Sequence, residues 1–375
     1  MLLKKLFLTL ILFAFFTFWV YAAEEPSLSA ECAVLLNADT LEVIYEKNSQ
    51  LKHSMASTTK IMTALLAIES GRLTETVTAH NLVTEGTSIG LKDGYKLSLE
   101  ALVWGMLLES GNDAAKLTAD YLSGSEESFA ELMNKKAESL GMTKTNFVTA
   151  SGLDSKEHYS TAYDMALLGA YATKNPVFRD ICSSKYKRID FIEPDVSVTF
   201  SNHNKLLSYC EGVFGIKTGF TKKSGRCLVS ACEREDVTLI AVTLNAGDDW
   251  NDHKKLYDYG YEKTVTEEIS FRLPESMKVY GGKQVSVAIE SETERTTYSY
   301  SGEKGEIRQK IYLREFLYAP IKKGEIVGKA AVIKDGNEIV QANIVASHDV
   351  DSAEPVKTPT IWQRIINRIK DIWDN

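Results

Sequence analysis

Residues 53–69 read HSMASTTKIMTALLAIE, and this stretch places Ser57 and Lys60 three positions apart at the start of a periodic apolar run. The apolar residues recur with the i, i+3, i+4 spacing of a helix, so the two side chains share one face. A serine hydroxyl is a weak nucleophile until a neighbour takes its proton, and a lysine can do this only when it is neutral. The stretch indicates a serine nucleophile with a lysine base, although Ser57 could simply be a helix cap.

Two more motifs follow in the chain. Ser110–Asn112 (SGN) ends an apolar run, and Lys217–Gly219 (KTG) lies in GVFGIKTGFT, which is predicted to be a strand. The motifs S-x-x-K, S-D-N and K-T-G occur together in class A β-lactamases and penicillin-binding proteins. Here the second motif has the carboxypeptidase form, Ser-x-Asn. The sequence resembles the serine-type D-Ala-D-Ala carboxypeptidases, the low-molecular-mass penicillin-binding proteins of peptidase family S11, over roughly residues 30–261.

This resemblance implies the chemical steps. Ser57 attacks the carbonyl of the penultimate D-Ala of a peptidoglycan stem pentapeptide and forms an acyl-enzyme, with Lys60 as general base. Ser110 and Lys217 form a relay that protonates the leaving D-Ala nitrogen, and Lys217 supplies a second cation. β-Lactam inhibitors are expected to acylate the same serine.

The resemblance also implies how the substrate is held. Asn112 orients the acyl-side amide, while Thr218 and Lys217 bind the terminal carboxylate. Gly219 permits close packing. The backbone N–H groups of the nucleophile and of Phe220 form the oxyanion hole. Lys205, in NHNKLL, occupies a position where relatives can carry a basic substrate contact.

Two other functions remain open at this stage. A β-lactamase of class A uses an additional glutamate after the second motif, whereas NFVTASGLD has none, so slow release of penicillin is expected. A catalytically silent wall-binding or sensor module would keep the fold without turnover. The stretch Gly86–Gly90 matches the nucleophile-elbow pattern G-x-S-x-G, but no helix is predicted after it, and chance explains it better.

The implied fold class is α+β: a penicillin-binding/β-lactamase-like transpeptidase domain, with helices packed on an antiparallel sheet, precedes a small all-β domain and a C-terminal amphipathic helix. SAECAVLLNADTLEVIYEKN alternates apolar and polar residues and predicts a hairpin, and SFAELMNKKAESLG predicts a helix that begins at Ser128 and ends at Gly141. The predicted divisions are a signal peptide (1–23), the catalytic domain (24–263), the β-rich domain (264–348), a linker (349–360) and the final helix (361–375).

The two chain ends point to the cell envelope. Residues 1–23 carry two lysines, an apolar core and small residues, as a secretory signal peptide does, although an uncleaved anchor would look similar. In the final helix, the apolar residues fall in one arc of roughly 140° and basic residues lie opposite. We expect this helix to lie on a membrane surface, with packing on protein as the alternative. The enzyme would then be exported and peripheral to the outer face of the cytoplasmic membrane.

Composition excludes several other classes. The net charge of −8 gives no nucleic-acid footprint. The five cysteines are an odd number without CxxC, and the six histidines show no metal-ligand spacing. We therefore expect no metal and no cofactor.

Overall fold

The computed structural model describes residues 25–80, 82, 85–293, 295–302, 304–354 and 361–373. The chain forms two compact units that divide between Val265 and Thr266. The predicted signal peptide and residues 355–360 of the predicted linker lie outside the described residues.

An antiparallel sheet of five strands forms the centre of the first unit. Its order is β2-β1-β9-β8-β7, and β7 is an edge strand. The strands of this unit are β1 (Cys32–Asn37), β2 (Val43–Lys47), β3 (Thr76–Thr78), β4 (Lys96–Ser98), β5 (Tyr186–Asp190), β6 (Ser197–Ser201), β7 (Val213–Thr221), β8 (Gly225–Arg234) and β9 (Val237–Ala246).

Helices cover both faces of this sheet. They are α1 (Lys60–Glu69), α2 (Leu99–Leu108), α3 (Asn112–Ser123), α4 (Glu126–Ser139), α5 (Ala162–Ala172), α6 (Pro176–Ser183), α7 (Leu206–Tyr209) and α8 (Asp249–Lys263), and a 3-10 turn (Ala56–Thr59) leads into α1.

The core explains why β1 does not alternate as predicted. Val34 belongs to the large cluster that α1, α2 and α5 share, whereas Leu35 packs in a second cluster against Tyr257 of α8. All six residues of β1 are buried because the sheet is covered on both faces. The hairpin itself is confirmed, since β1 and β2 pair antiparallel.

The beginning of α4 corrects another expectation. Ser125, and not Ser128, caps this helix: its hydroxyl accepts the N–H of Ser128 at 3.1 Å. Serine favours the cap because it satisfies an N–H that has no partner within the helix. The predicted end holds, since Gly141 has a φ of +75° just after the helix.

The second unit is built from strands. A six-stranded sheet has the order β14-β16-β17-β12-β11-β15, and β10 pairs with β13. The turn Asp335-Gly336 joins β16 to β17 as predicted, and both residues have positive φ. The strands are β10 (Thr264–Ile269), which crosses the division, β11 (Ser276–Tyr280), β12 (Ser286–Ser291), β13 (Thr296–Ser301), β14 (Ile307–Leu313), β15 (Leu317–Tyr318), β16 (Ile326–Lys334) and β17 (Asn337–Ala346).

The last element is the helix α9 (Ile361–Trp373). Its apolar residues Ile361 and Trp362 are 76% and 74% exposed. Within the described part of the chain, no helix is long and apolar enough to cross a membrane.

Candidate active site

Ser57 and Lys60 meet at the start of α1. Ser57 lies in the 3-10 turn, and the fully buried Lys60 donates from Nζ to Ser57 Oγ at 2.9 Å. Lys60 Nζ also donates to Asn112 Oδ1 and to the carbonyl oxygen of Ser151, each at 2.6 Å. Ser57 caps neither the turn nor α1, so its hydroxyl is available for other chemistry.

The surroundings of Lys60 favour its neutral form. Burial is the largest cause that holds the pKa of Lys60 well below its ordinary value, and the positive charge of Lys217 acts in the same direction. The carboxylate of Asp113 opposes them. A neutral amine 2.9 Å from a serine hydroxyl can accept its proton.

The Ser-Gly-Asn motif forms the junction between α2 and α3. Ser110 has a φ of +64°, a conformation that costs a residue with a side chain some free energy and is often found at functional sites. Asn112 is the first residue of α3; its Nδ2 donates to the carbonyl of Glu85 at 2.6 Å while Oδ1 accepts from Lys60. The amide is thereby fixed with its oxygen towards Lys60.

Asp113 anchors the loop that carries the misleading G-x-S-x-G pattern. Its buried carboxylate accepts from Ser88 Oγ at 2.5 Å and from the N–H groups of Ile89 and Leu91 at 3.0 Å. The hydroxyl of Ser88 also accepts the N–H of Gly90 at 2.9 Å. Ser88 is therefore a structural residue of this loop, and no helix follows it.

Strand β7 divides the KTG motif between two faces. Gly219 packs against the 3-10 turn, and alternation places Lys217 on the same face. Lys217 is 1% exposed, and burial lowers its pKa to about 7, with Glu109 opposing this shift. Its Nζ donates to the carbonyl of Thr218 at 3.0 Å, and among the described residues no hydrogen bond joins Lys217 to Ser110. The relay between these two side chains stays a prediction.

Two glycines allow the backbone to approach the nucleophile. A Cβ on Gly219 would lie 3.0 Å from the backbone N of Ser57 and 3.1 Å from the carbonyl oxygen of Met55. A Cβ on Gly152 would lie only 1.9 Å from the carbonyl oxygen of Ala56, and Gly152 has a φ of +85°. These contacts hold the turn between β7 and the stretch around Gly152.

Sequence reasoning missed the support beneath the turn. His158 Nε2 lies 2.8 Å from Thr59 Oγ1, and Nδ1 of the same ring accepts the N–H of Val148 at 3.0 Å. Thr63 Oγ1 donates to the carbonyl of Ala150 at 2.6 Å. Backbone carbonyls have no sequence signature, because every residue carries one. The nearest sequence signal for this support was the segment 150–153 (ASGL).

A cleft of about 480 Å³ opens over the nucleophile. Lys205 is not among the residues that line it; this lysine lines a neighbouring hollow of about 370 Å³ with Asn202 and Tyr209. The cleft is lined by Ser57, Thr87, Ser110, His203, Thr218, Gly219, Phe220, Arg226, Asp249 and Trp250.

Five of these residues were not expected from the sequence to belong to the site: Thr87, His203, Arg226, Asp249 and Trp250. Arg226 pairs with Phe220 across β7 and β8, and its guanidinium donates to the nearly buried carboxylate of Asp249 and lies 5.3 Å from the ring of Trp250. On the wall near Ser110, His203 Nε2 lies 3.4 Å from a carboxylate oxygen of Glu109. These residues lie too far apart in the chain to form a short sequence motif.

Comparisons with known proteins point to one family. Residues 20–248 match the family profile described as D-alanyl-D-alanine carboxypeptidase, and residues 253–352 match the penicillin-binding protein 5 C-terminal domain. The D-alanyl-D-alanine carboxypeptidase DacF of Bacillus subtilis is 30% identical over 344 residues, which cover 88% of each chain. DacC of Escherichia coli is 33% identical over 348 residues, covering 88% of this chain and 86% of the relative.

Two solved structures are similar to this chain over most of its length. Penicillin-binding protein 5 from Haemophilus influenzae superposes with a TM-score of 0.63 at 27% identity, covering 88% of this chain and 99% of the other. A peptidoglycan synthesis regulatory factor (PBP3) from Streptococcus pneumoniae gives a TM-score of 0.71 at 21% identity and covers 87% and 100% of the two chains; it supports the fold alone.

Proposed function

We propose a residue-level mechanism from one premise: the chain belongs to the D-alanyl-D-alanine carboxypeptidase family of serine peptidases. It is a serine-type hydrolase of the penicillin-binding protein class, with the fold of that class. The observation that carries the mechanism is the contact of 2.9 Å between the buried amine of Lys60 and the hydroxyl of Ser57.

Acylation begins with Ser57. Neutral Lys60 accepts the hydroxyl proton while the oxygen attacks the carbonyl carbon of the penultimate D-Ala. The negative charge that develops on the carbonyl oxygen is stabilised by the backbone N–H groups of Ser57 and Phe220. The support for this hole is the close approach of Gly219 to the Ser57 nitrogen.

The leaving group then takes a proton. The proton that Lys60 accepted passes through the relay of Ser110 and Lys217 to the D-Ala nitrogen as the C–N bond breaks. D-Ala departs as an amine, Lys60 is neutral again, and an ester of Ser57 remains. Water attacks this ester, with Lys60 again as base, and releases the shortened peptide. Asn112 faces the acyl side, and its amide is held in place by Lys60 and by the carbonyl of Glu85.

Recognition of the substrate depends on its terminal carboxylate. Thr218 of β7 lines the cleft. The buried amine of the preceding residue, Lys217, donates to the carbonyl of Thr218. A hydroxyl donor and an ammonium group are suited to a carboxylate. The proposed substrate is a peptidoglycan stem pentapeptide that ends in D-Ala-D-Ala. We propose that Lys205, which lines the hollow of about 370 Å³, attracts acidic groups of the substrate.

The direct test is D-Ala release from a synthetic stem pentapeptide. We expect the native enzyme to release D-Ala and the Ser57→Ala variant to lose at least about 10³-fold in kcat, because no nucleophile remains. Ser88→Ala is the matched control, since this serine belongs to the misleading pattern, and its variant should keep most activity. Turnover by Ser57→Ala would contradict the mechanism, and no turnover by a folded native enzyme would favour the silent sensor.

Penicillin distinguishes the carboxypeptidase from a β-lactamase. Among the described residues that line the cleft, Asp249 is the sole carboxylate, and Arg226 already holds it. Among the described lining residues, no unpaired carboxylate is therefore placed to activate water against the penicilloyl ester, as the additional glutamate of class A β-lactamases does. We expect mass spectrometry to find a penicilloyl adduct on Ser57 that lasts minutes or longer. Rapid release with steady penicillin hydrolysis would support the β-lactamase instead.

Location at the membrane is proposed on separate grounds. The support is the amphipathic α9, whose apolar side is exposed, together with the signal-like composition of residues 1–23. We propose that the enzyme is exported and that α9 lies in the interface of the cytoplasmic membrane. Removal of residues 361–375 should transfer the enzyme from sedimenting anionic vesicles to the supernatant. Equal sedimentation of the two forms would refute the anchor.

A further inference from the structure

Three aromatic side chains, two exposed and one half-buried, form a cluster at one edge of the six-stranded sheet. Tyr280 and Tyr318 are partners on the parallel strands β11 and β15, and β15 is the edge strand. The ring centroid of Phe316 lies 5.1 Å from that of Tyr280 and 5.4 Å from that of Tyr318, with both pairs edge to face. We call Tyr280, Phe316 and Tyr318 the aromatic patch.

The aromatic patch faces away from the core of its unit. Val279 and Leu317 are both 4% exposed and fill that core, whereas Tyr280 and Tyr318, which follow them, are 43% and 72% exposed. Alternation along a strand places neighbours on opposite faces. Rings of this size usually gain stability by burial, so two exposed tyrosines in contact with a half-buried Phe316 indicate a binding surface.

Charged side chains border the aromatic patch. Lys278 Nζ lies 4.7 Å from the centre of the Tyr280 ring, and Arg314 is exposed just before Phe316. Glu315, which separates them in the sequence, is also exposed. Tyrosine beside lysine or arginine is the composition that membrane interfaces favour, because the ring contacts the acyl boundary while the cation meets phosphate.

The chain leaves the six-stranded sheet beside the aromatic patch. The N–H of Ala353 donates to the carbonyl of Gly281 at 2.7 Å, and Gly281 directly follows Tyr280. One step earlier, the N–H of Lys283 donates to the carbonyl of Asp351 at 2.8 Å. Helix α9 begins eight positions after Ala353, so even a fully extended chain would place its first residue within about 28 Å of this turn.

We propose that the aromatic patch is a second contact with the phospholipid surface that binds α9. This inference rests on the proposed membrane anchoring by α9. A helix of 13 residues gives weak, reversible attachment, and a second contact joined by a short linker raises the binding through a high effective concentration. Two contacts also restrict how the β-rich unit stands on the bilayer.

The first experiment detects the patch at the membrane directly. All five cysteines are buried, and burial raises the pKa of each thiol, so a maleimide dye reacts selectively with an introduced surface cysteine. The dye is attached to the variant Tyr318→Cys in a protein that starts at residue 24 and includes α9. Tyr186→Cys is the matched control, since Tyr186 is 73% exposed in the other unit. Vesicles contain phosphatidylglycerol and phosphatidylcholine.

If the aromatic patch contacts the bilayer, the fluorescence emission of the dye at position 318 shifts to shorter wavelength when vesicles are added. The emission of the dye at position 186 does not shift. A shift at neither position in a protein that sediments with the vesicles would overturn the proposal and leave anchoring by α9 intact. Failure to sediment at all would overturn both. These two failures are therefore distinguishable.

The second experiment measures binding strength. Tyr280→Ser, Phe316→Ser and Tyr318→Ser are combined, and we expect the vesicle partition coefficient to fall by about tenfold because three rings leave the interface. D-Ala release from a soluble pentapeptide should stay unchanged. An unchanged partition coefficient would overturn the proposal, and so would a selective loss of binding to purified peptidoglycan, which would identify the aromatic patch as a glycan-binding surface.

Discussion

At the scale of residues, the proposed chemistry depends on two buried lysines. Burial lowers the pKa of both Lys60 and Lys217, and each lies in a region where water cannot solvate a charge well. They differ in what the mechanism requires, because Lys60 must be neutral to accept a proton whereas Lys217 must be charged to bind a carboxylate. Their ionisation should therefore produce opposite limbs of the pH profile.

The profile of kcat/KM reports the free enzyme. Activity should rise with pH while Lys60 loses its proton, and it should fall as pH rises through the pKa of Lys217, about 7. In Lys217→Arg the guanidinium stays charged, so the falling limb should move upward by at least about two pH units. Initial rates of D-Ala release between pH 5 and about 10 test this. A falling limb that stays in place in Lys217→Arg would mean that another group causes it.

At the scale of elements, the site depends on how closely β7 approaches the 3-10 turn. We expect Gly219→Ala to lower kcat/KM by about 10²-fold, because the added methyl group would push the turn away from the strand and misplace Ser57. The Cβ contacts of 3.0–3.1 Å are all with backbone atoms, which yield poorly.

Gly247→Ala is the matched control for this variant. A Cβ there would meet no described atom closer than 3.8 Å, so its kinetics should match those of the native enzyme. Circular dichroism and thermal unfolding would establish that both variants fold. Native kinetics in a folded Gly219→Ala would show that the approach of β7 is not needed to place the nucleophile.

At the scale of the whole molecule, buried neutral histidines should make stability depend on pH. Burial lowers the pKa of His158 to about 4 and that of His253 to about 3. The unfolded chain, with an ordinary pKa near 6.5, binds more protons than the folded one in this range. Stability is thus fully present above about pH 6.5 and is lost as pH falls towards 4.

The pH dependence of stability can be measured from the unfolding free energy of the unit that contains His158. A depression of about 2.5 pKa units at His158 corresponds to about 3 kcal/mol of unfolding free energy between pH 7 and 4. His158→Gln should reduce that loss, whereas His80→Gln, at an exposed position, should leave it unchanged. Urea unfolding at several pH values tests the difference. An equal pH dependence in all three proteins would contradict the role of His158.

Local order in the sequence was enough for the family, the motifs and most elements. Spacing of three residues puts Ser57 and Lys60 on one face wherever the stretch is helical, and alternation within KTG separates Thr218 from its neighbours. The hairpin at Asp335-Gly336 likewise follows from turn chemistry that is contained in two residues. These predictions succeeded because their causes lie within a few positions of one another.

The tertiary structure alone decided the rest. Lys60 binds the carbonyl of Ser151, and Gly152 contacts Ala56. Both contacts join segments about 90 to 100 positions apart, and this packing also removes Lys60 from water. Burial of both faces of β1 has the same origin, since only the packed helices determine that neither face meets water. The sequence by itself determined which groups are proposed to react and their order along the chain; the fold determined their solvation and distances, because both depend on atoms that are remote along the chain.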